Sequence, residues 1–361
     1  MKVACVLGAR PQFVKAVPVS RALQRAGLRE ILIHTGQHYD YQMSQVFFDE
    51  MGLPRPAYNL GVGSASHGKQ TGEMLARIEE VLMAERPDVT VVYGDTNSTI
   101  AGALASVKLG IRVAHVEAGL RSYNRSMPEE HNRVLTDHCA DLLLCPTDNA
   151  VANLAREGLT HGVYRVGDTM YDAVLQFSAA ARAHSRILRR LGVSPGEYFL
   201  ATVHRVSNTE TCDVLQGLLS IFQMLDLPVV FPIHPRTRQS LQAASASLPN
   251  VRLIDPVGYF DMLVLEENAR AVLTDSGGVQ KEAFFLGVPC ITMRTETEWI
   301  ETVAAGLNVV VGNDRERILA AASKRDWPVS KPASVFGDGD AGEHIVRLLG
   351  QAVVSKWTME G

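Results

Sequence analysis

Residues 114–133, AHVEAGLRSYNRSMPEEHNR, set His115, Glu117, Arg121, Arg125, Glu129, Glu130, His131 and Arg133 in one short run. Carboxylates held near a substrate can move protons, an effect of ~10²–10⁴-fold in rate. Arginines can hold carboxylate or phosphate. The same charges could also ride idly on a surface helix. The run follows an apolar strand pattern, RVAHV, so Glu117 falls at a strand end. Asp95 ends a second such pattern, VVYGD, where a helix cap or turn residue is as good a reading as a catalytic acid. His204 and Arg205 close ATVHR, and His234 and Arg236 lie in PIHPRTR. One histidine at a strand end is often structural. Two, each with an arginine, look like a site.

Two stretches read as phosphate contacts. In TDSGGVQKEAF, a strand gives way to Ser276, Gly277 and Gly278 and then to a helical pattern. A turn bare of side chains at a helix N-terminus can cradle a diphosphate, and Glu282, a turn further in, suits ribose hydroxyls. In LGARPQFVK, Gly8 permits a tight turn and Arg10 stands at the strand-to-helix junction. Neither is GxGxxG, and the GVGSAS run near Gly61 follows no strand, so a nicotinamide cofactor has little support.

The elements that must position these residues alternate strand and helix: KVACVL, EILIHT, DVTVVYGD, RVAHV and DLLLC, then a helical basic pause, then EYFLATVHR, PVVFPIHPR, VRLIDPV, AVLTDSGG, PCITMR and NVVVG. That alternation predicts an α/β fold of two Rossmann-like parallel-sheet domains facing a central cleft. The expected division is residues 1–167 and 168–342, with a closing helix over 343–361 joining the first domain. A chain of 361 residues is too long for one ordinary core. With 20% charged residues and a net charge of −4, nothing favours nucleic acid. Five scattered cysteines without a CxxC pair read as reduced thiols rather than disulfides or a zinc site. No apolar run approaches the ~20 residues of a membrane span, and the N-terminal run is too short for a signal peptide. The expected setting is cytoplasmic.

GARPQFVKA, YGDTNSTIAGALAS, AHVEAGLRS, MPEEHNR, HPRTR, DPVGY and TDSGGVQKEAFF, in that order, resemble the non-hydrolysing UDP-N-acetylglucosamine 2-epimerases over essentially the whole chain. The resemblance implies the glycosyltransferase-B architecture and a homodimer. It implies inversion of carbon 2 to give UDP-N-acetylmannosamine: UDP leaves the anomeric carbon as the carbon-2 proton leaves, forming a 2-acetamidoglucal, and adds back after reprotonation. No cofactor and no metal is implied. Asp95, Glu117 and Glu129 match the family's essential acids and His204 its histidine. Arg10, His234, Arg236, Ser276, Gly277, Gly278 and Glu282 match its UDP contacts, and Lys15, Gln37, His38, Arg121 and Arg133 are further expected substrate contacts. Glu130 is expected to point elsewhere. Tyr39 and Asp40 depart from the segment that holds a second substrate molecule in allosterically activated members. GLRSYNRSMPEE, GARPQF and KEAFFLG are similar to the subgroup acting on UDP-2,3-diacetamido-2,3-dideoxyglucuronate, whose sugar carboxylate Arg121 or Arg125 could meet. Hydrolysing relatives read HIEGGE and DDxIR where this chain has HVEAGL and PEEHNR. A glycosyltransferase of the same fold or a nucleotide-sugar sensor is the more distant alternative.

Overall fold

The apolar runs become two parallel sheets in a computed structural model that describes residues 1–37, 48, 50–205, 208, 212–233, 248–329 and 332–354. The first comprises β1 (Lys2–Leu7), β2 (Arg29–His34), β3 (Tyr58–Asn59), β4 (Val89–Tyr93), β5 (Arg112–Val116), β6 (Leu142–Cys145) and β7 (Val163–Arg165), in the order β3-β2-β1-β4-β5-β6-β7. The second comprises β8 (Phe199–Thr202), β9 (Val229–Pro232), β10 (Val251–Ile254), β11 (Val272–Thr274), β12 (Cys290–Thr292) and β13 (Asn308–Val310), in the order β10-β9-β8-β11-β12-β13. Pairing is parallel throughout, for example Val92 opposite His115 and Leu273 opposite Ala201. Parallel strands are covered on both faces, which is why these runs are apolar at every position rather than at alternate ones.

The helices that matter for the site are α1 (Arg10–Arg25), α2 (His67–Glu85), α3 (Asn97–Lys108), α4 (Pro128–Cys139), α5 (Thr169–His184), α6 (Cys212–Phe222), α7 (Tyr259–Glu267), α8 (Gly277–Phe285) and α9 (Ala341–Val354). Met74, Ile78 and Leu82 of α2 pack with Val6, Ile33 and Val92 of the first sheet. Leu218, Leu219 and Phe222 of α6 pack with Phe199, Phe231 and Leu273 of the second. Each such side chain, fully buried, is worth about 1.5–3 kcal/mol.

The chain divides into Met1–Ala173 together with the residues from Ala333 onward, and Val174–Pro332. The crossing falls within α5, later than Gly167, and the return begins at Ala333, ahead of the expected closing helix. α9 then packs on α1. Its Gly342 comes so near that an added Cβ would lie 2.7 Å from the Pro18 carbonyl oxygen, and Arg25 Nε donates to Glu343 over 2.7 Å. Among the described residues no helix is long and apolar enough to cross a membrane.

In each sheet the strand order reverses once, between β1 and β4 and between β8 and β11. Helices leave opposite faces there and open a crevice at the carboxyl ends of the strands, where ligands of doubly wound sheets bind. The candidate residues lie at these two places.

Candidate active site

At the reversal in the first sheet, Asp95 follows β4 through Gly94. Gly94 has φ +63°, and a Cβ there would stand 3.0 Å from Lys15 Nζ and 3.2 Å from Glu117 Oε2. Glycine takes that backbone conformation without strain. The same contacts place the acid-bearing turn directly against Lys15 and Glu117. Lys15 reaches from α1, nearly buried, and pairs with the Glu117 carboxylate. Glu117 is itself 8% exposed and sits at φ +72°, a left-handed backbone that costs a non-glycine residue about 1 kcal/mol or more. Its amide and that of Ala118 both donate to the Leu144 carbonyl, which holds the strained turn in place.

Asp95 is gripped from α4. Arg133 pairs with its carboxylate, and Asn132 Nδ2 donates to its backbone carbonyl over 3.0 Å. Glu129 lies three and four residues before these two, so it shares their helix face. It is the second residue of α4, half-buried, and its carboxylate has no hydrogen bond or ion pair to a described residue. The structure thus distinguishes the three acids: Asp95 and Glu117 each face a cation, and Glu129 does not. Glu130 turns to the 122–123 loop, accepting from the Ser122 and Tyr123 amides and from the Ser122 hydroxyl.

Arg121 has a different setting from the one expected of a substrate contact. It is 4% exposed. Its Nε and Nη2 donate to Glu157 as a fork, each over 2.7 Å, and its Nη1 donates to Asp137 and to the Leu120 carbonyl. With four donors taken inside the protein, this guanidinium holds its loop and is not turned to a ligand. Asp137 also accepts from the Gly119 amide and from His115. Burial opposes its ionisation, but His115 and Arg121 prevail and hold the carboxyl below the usual range.

The β1–α1 turn is built differently from a bare anion cradle. A Cβ on Gly8 would lie 2.0 Å from Ser98 Oγ, so glycine is obligatory. The amides of Gly8 and Ala9 donate to Gln12 Oε1, whose own Nε2 donates to the Tyr93 carbonyl and to Thr99 Oγ1. Those amides are therefore spent on tying β1 to β4, and Arg10 stands partly exposed at the start of α1. Gln37 Oε1 accepts from the Ser98 hydroxyl at 2.7 Å. His38 lies outside the described residues, as do His234 and Arg236.

At the reversal in the second sheet, His204 follows β8 with 63% of its side chain exposed. Its Nδ1 is 2.8 Å from Asp275 Oδ1. Asp275 directly follows β11, is fully buried, and also accepts from the His204 and Arg205 amides and from Asn208 Nδ2. Burial works against its charge, yet the hydrogen bond from His204 and these other donors keep the carboxyl below its ordinary range. The contact with Asp275 at Nδ1 orients the ring and leaves Nε2 directed outward. Ser276 caps α8, its Oγ accepting from the Val279 amide, and its own amide donates to Thr274 Oγ1. Gly277 and Gly278 then open the helix, where the first amides have no intrahelical partner. A Cβ on Gly277 would meet Trp299 Nε1 at 3.4 Å. Glu282, 6% exposed, shares the interior with Glu266 and Tyr259. Burial and the charge of Glu282 push the Glu266 carboxyl well up.

Sequence reasoning passed over Gln12, Asn132, Asp137 and Asp275. Asp275 carried a signal, since it ends the strand before the glycine turn. Asp137, on a helix five residues beyond Asn132, carried none. Among the described residues no group of histidines, cysteines and acids could hold a metal ion.

The model of the family described as UDP-N-acetylglucosamine 2-epimerase matches residues 21–350. A UDP-N-acetylglucosamine 2-epimerase homolog of Methanococcus maripaludis is 51% identical, covering 97% of this chain and 99% of the relative. The UDP-2,3-diacetamido-2,3-dideoxy-D-glucuronate 2-epimerase of Pseudomonas aeruginosa is 44% identical over 97% of this chain and 99% of its own. The crystal structure of the Methanocaldococcus jannaschii UDP-GlcNAc 2-epimerase in complex with UDP-GlcNAc and UDP superposes with a TM-score of 0.90 at 45% identity, over 97% of this chain and all of that one. A spinosyn forosaminyltransferase, 15% identical with a TM-score of 0.54, shares the fold alone. Fold, motif order and the match along nearly the whole chain agree, and the protein belongs to the UDP-N-acetylglucosamine 2-epimerase family.

Proposed function

We propose that the protein is a non-hydrolysing epimerase that inverts carbon 2 of UDP-N-acetylglucosamine by eliminating UDP and adding it back through a 2-acetamidoglucal. The observation that carries this reading is the difference among the three acids: Asp95 and Glu117 each stand against a cation, while Glu129 on the neighbouring helix face has none. Carbon 2 bears no adjacent carbonyl, so its proton can leave only as the bond to UDP breaks. That demands carboxylates fixed near the sugar and donors for the departing diphosphate. Glu117 and Glu129, with Asp95, are the proton-transfer groups. His204 Nε2, Arg10, His234, Arg236 and the turn Ser276–Gly278 receive the diphosphate, and Glu282 the ribose. Lys15 and Arg133 keep their carboxylates in place beside the substrate. The enzyme acts in the cytoplasm as a homodimer.

Incubation with UDP-N-acetylglucosamine in heavy water, followed by proton NMR, tests this. Deuterium enters carbon 2 and two UDP-sugars accumulate. Irreversible release of UDP points instead to hydrolysis, and an unlabelled, unchanged sugar refutes the assignment of this substrate.

The second reading is the 2-epimerisation of UDP-2,3-diacetamido-2,3-dideoxyglucuronate. It is favoured by the similarity to the Pseudomonas enzyme and by Arg125. That residue is exposed on the same loop as the occupied Arg121, and its guanidinium has no partner among the described residues. A sugar carboxylate would suit it.

A further inference from the structure

His115 is fully buried at the end of β5. Its Nε2 is 2.7 Å from the Gly94 carbonyl oxygen and its Nδ1 2.7 Å from Asp137 Oδ1. A carbonyl oxygen only accepts, so Nε2 carries a proton. Asp137 already accepts from the Gly119 amide and from Arg121, and an ionised carboxylate likewise only accepts, so Nδ1 carries a proton as well. Both ring nitrogens thus face an acceptor, one a carboxylate and the other a peptide carbonyl.

We propose that His115 is a positioning residue of the epimerase site: its doubly protonated ring fixes the Gly94–Asp95 turn in register with Glu117. The Gly94 peptide is clamped at both ends, its amide donating to the Val116 carbonyl over 3.0 Å and its carbonyl accepting from His115. The two flanking acids are thereby set from one point, since Asp95 follows Gly94 and Glu117 lies two residues beyond His115. The other nitrogen reaches α4 through Asp137, and α4 carries Glu129, Asn132 and Arg133. One charged ring therefore joins β4, β5 and α4, the three elements that carry the acids. His115 touches no substrate in this scheme. Its effect passes through the Gly94 carbonyl, and a displacement of the order of 1 Å at such a site costs about 100-fold in rate.

The proposal rests on the epimerase reading, and its test separates the two. His115→Gln places an amide donor where Nε2 stands and keeps the Gly94 bond. His115→Asn places one where Nδ1 stands and keeps the Asp137 bond. If the Gly94 bond positions Asp95, His115→Gln holds kcat within about tenfold of wild type. His115→Asn then loses about 100-fold, with KM changed less than about threefold. A purely structural role in satisfying Asp137 gives the reverse order. Reversal, or equal effects of the two variants, overturns the proposal. A two-dimensional nitrogen–proton spectrum of histidine-labelled wild type reads the ring directly, whether or not the variants fold. Two protonated ring nitrogens for His115 are expected, and a neutral ring overturns the proposal. A wild type that exchanges no carbon-2 proton refutes the functional reading instead and leaves the ring spectrum to stand by itself.

Discussion

At the ends of β4 and β5, two of the three acids stand against a cation and the supporting groups are buried: Lys15 on Glu117, Arg133 on Asp95, and beneath them His115, Asp137 and Arg121. At the ends of β8 and β11, the same fold solves another problem. There the acid, Asp275, is sunk in the interior, the histidine it orients is exposed, and the helix that follows opens with two glycines. Proton transfer needs carboxylates whose place is over-determined, so partners crowd them. Under the proposed function the second unit receives the diphosphate: side chains are withdrawn from the start of the helix, and the buried Asp275 turns the exposed histidine outward. One sheet topology, used twice, presents a filled charge network in one unit and open donors in the other.

The sharpest way to break this contrast is to neutralise one acid. Glu117→Gln is expected to lower kcat by ~10²–10⁴-fold while UDP binding by calorimetric titration stays near wild type. His204→Asn weakens UDP in the same titration. Equal loss of UDP affinity in both would show that the two regions are not divided as described. Next in size is the loop beneath the acids. Arg121→Ala removes one partner of a buried ion-pair network and should cost about 3–5 kcal/mol in denaturant unfolding. Arg125→Ala on the same loop should leave stability unchanged and alter only the preference between the two candidate sugars. A stable Arg121→Ala protein would return that residue to the list of substrate contacts.

The smallest effect concerns acid. Asp137 and Asp275, one in each unit, both have folded pKa values held below their ordinary range. The stability each contributes is complete above the unfolded pKa of about 3.9 and is lost as pH falls through the folded value. Between those limits each carboxylate adds a slope of about 1.4 kcal/mol per pH unit. Tm recorded between about pH 2 and 4 should fall less steeply in Asp275→Asn than in wild type. An unchanged slope would mean that the charge of Asp275 is not what the His204 and Arg205 amides hold.

Much of this was legible in the residues themselves. Strands covered on both faces must be apolar throughout, so the alternation of KVACVL, DVTVVY or AVLT with helical stretches already spelled two parallel sheets. Asp95, Glu117, His204 and the Ser276–Gly278 turn were readable because they stand at strand ends, where chain direction alone puts them in a crevice. Less legible were the partners that come from helices. Sequence separation hides that Lys15 meets Glu117 or that Asn132 meets the Asp95 carbonyl. Arg121 shows the limit best. An arginine between two acids reads as a ligand contact, and only its enclosure by Glu157 and Asp137 reveals that its donors are already used. The amides of Gly8 and Ala9 teach the same lesson, since Gln12, three or four residues on, satisfies them from inside α1.

The close fit of Gly342 against Pro18 has a consequence for how the molecule is made. Both arms of the first unit must be present before α9 can lie on α1, and the whole of Val174–Pro332 is threaded between them. During synthesis, the inserted unit can leave the ribosome and fold as a continuous segment. The N-terminal portion waits, with the face of α1 that α9 covers left open, until residues 341–354 emerge. A nascent chain stalled before Ala341 should therefore carry a finished inserted unit and an unfinished first unit, and it is the earlier-made half that would need a chaperone.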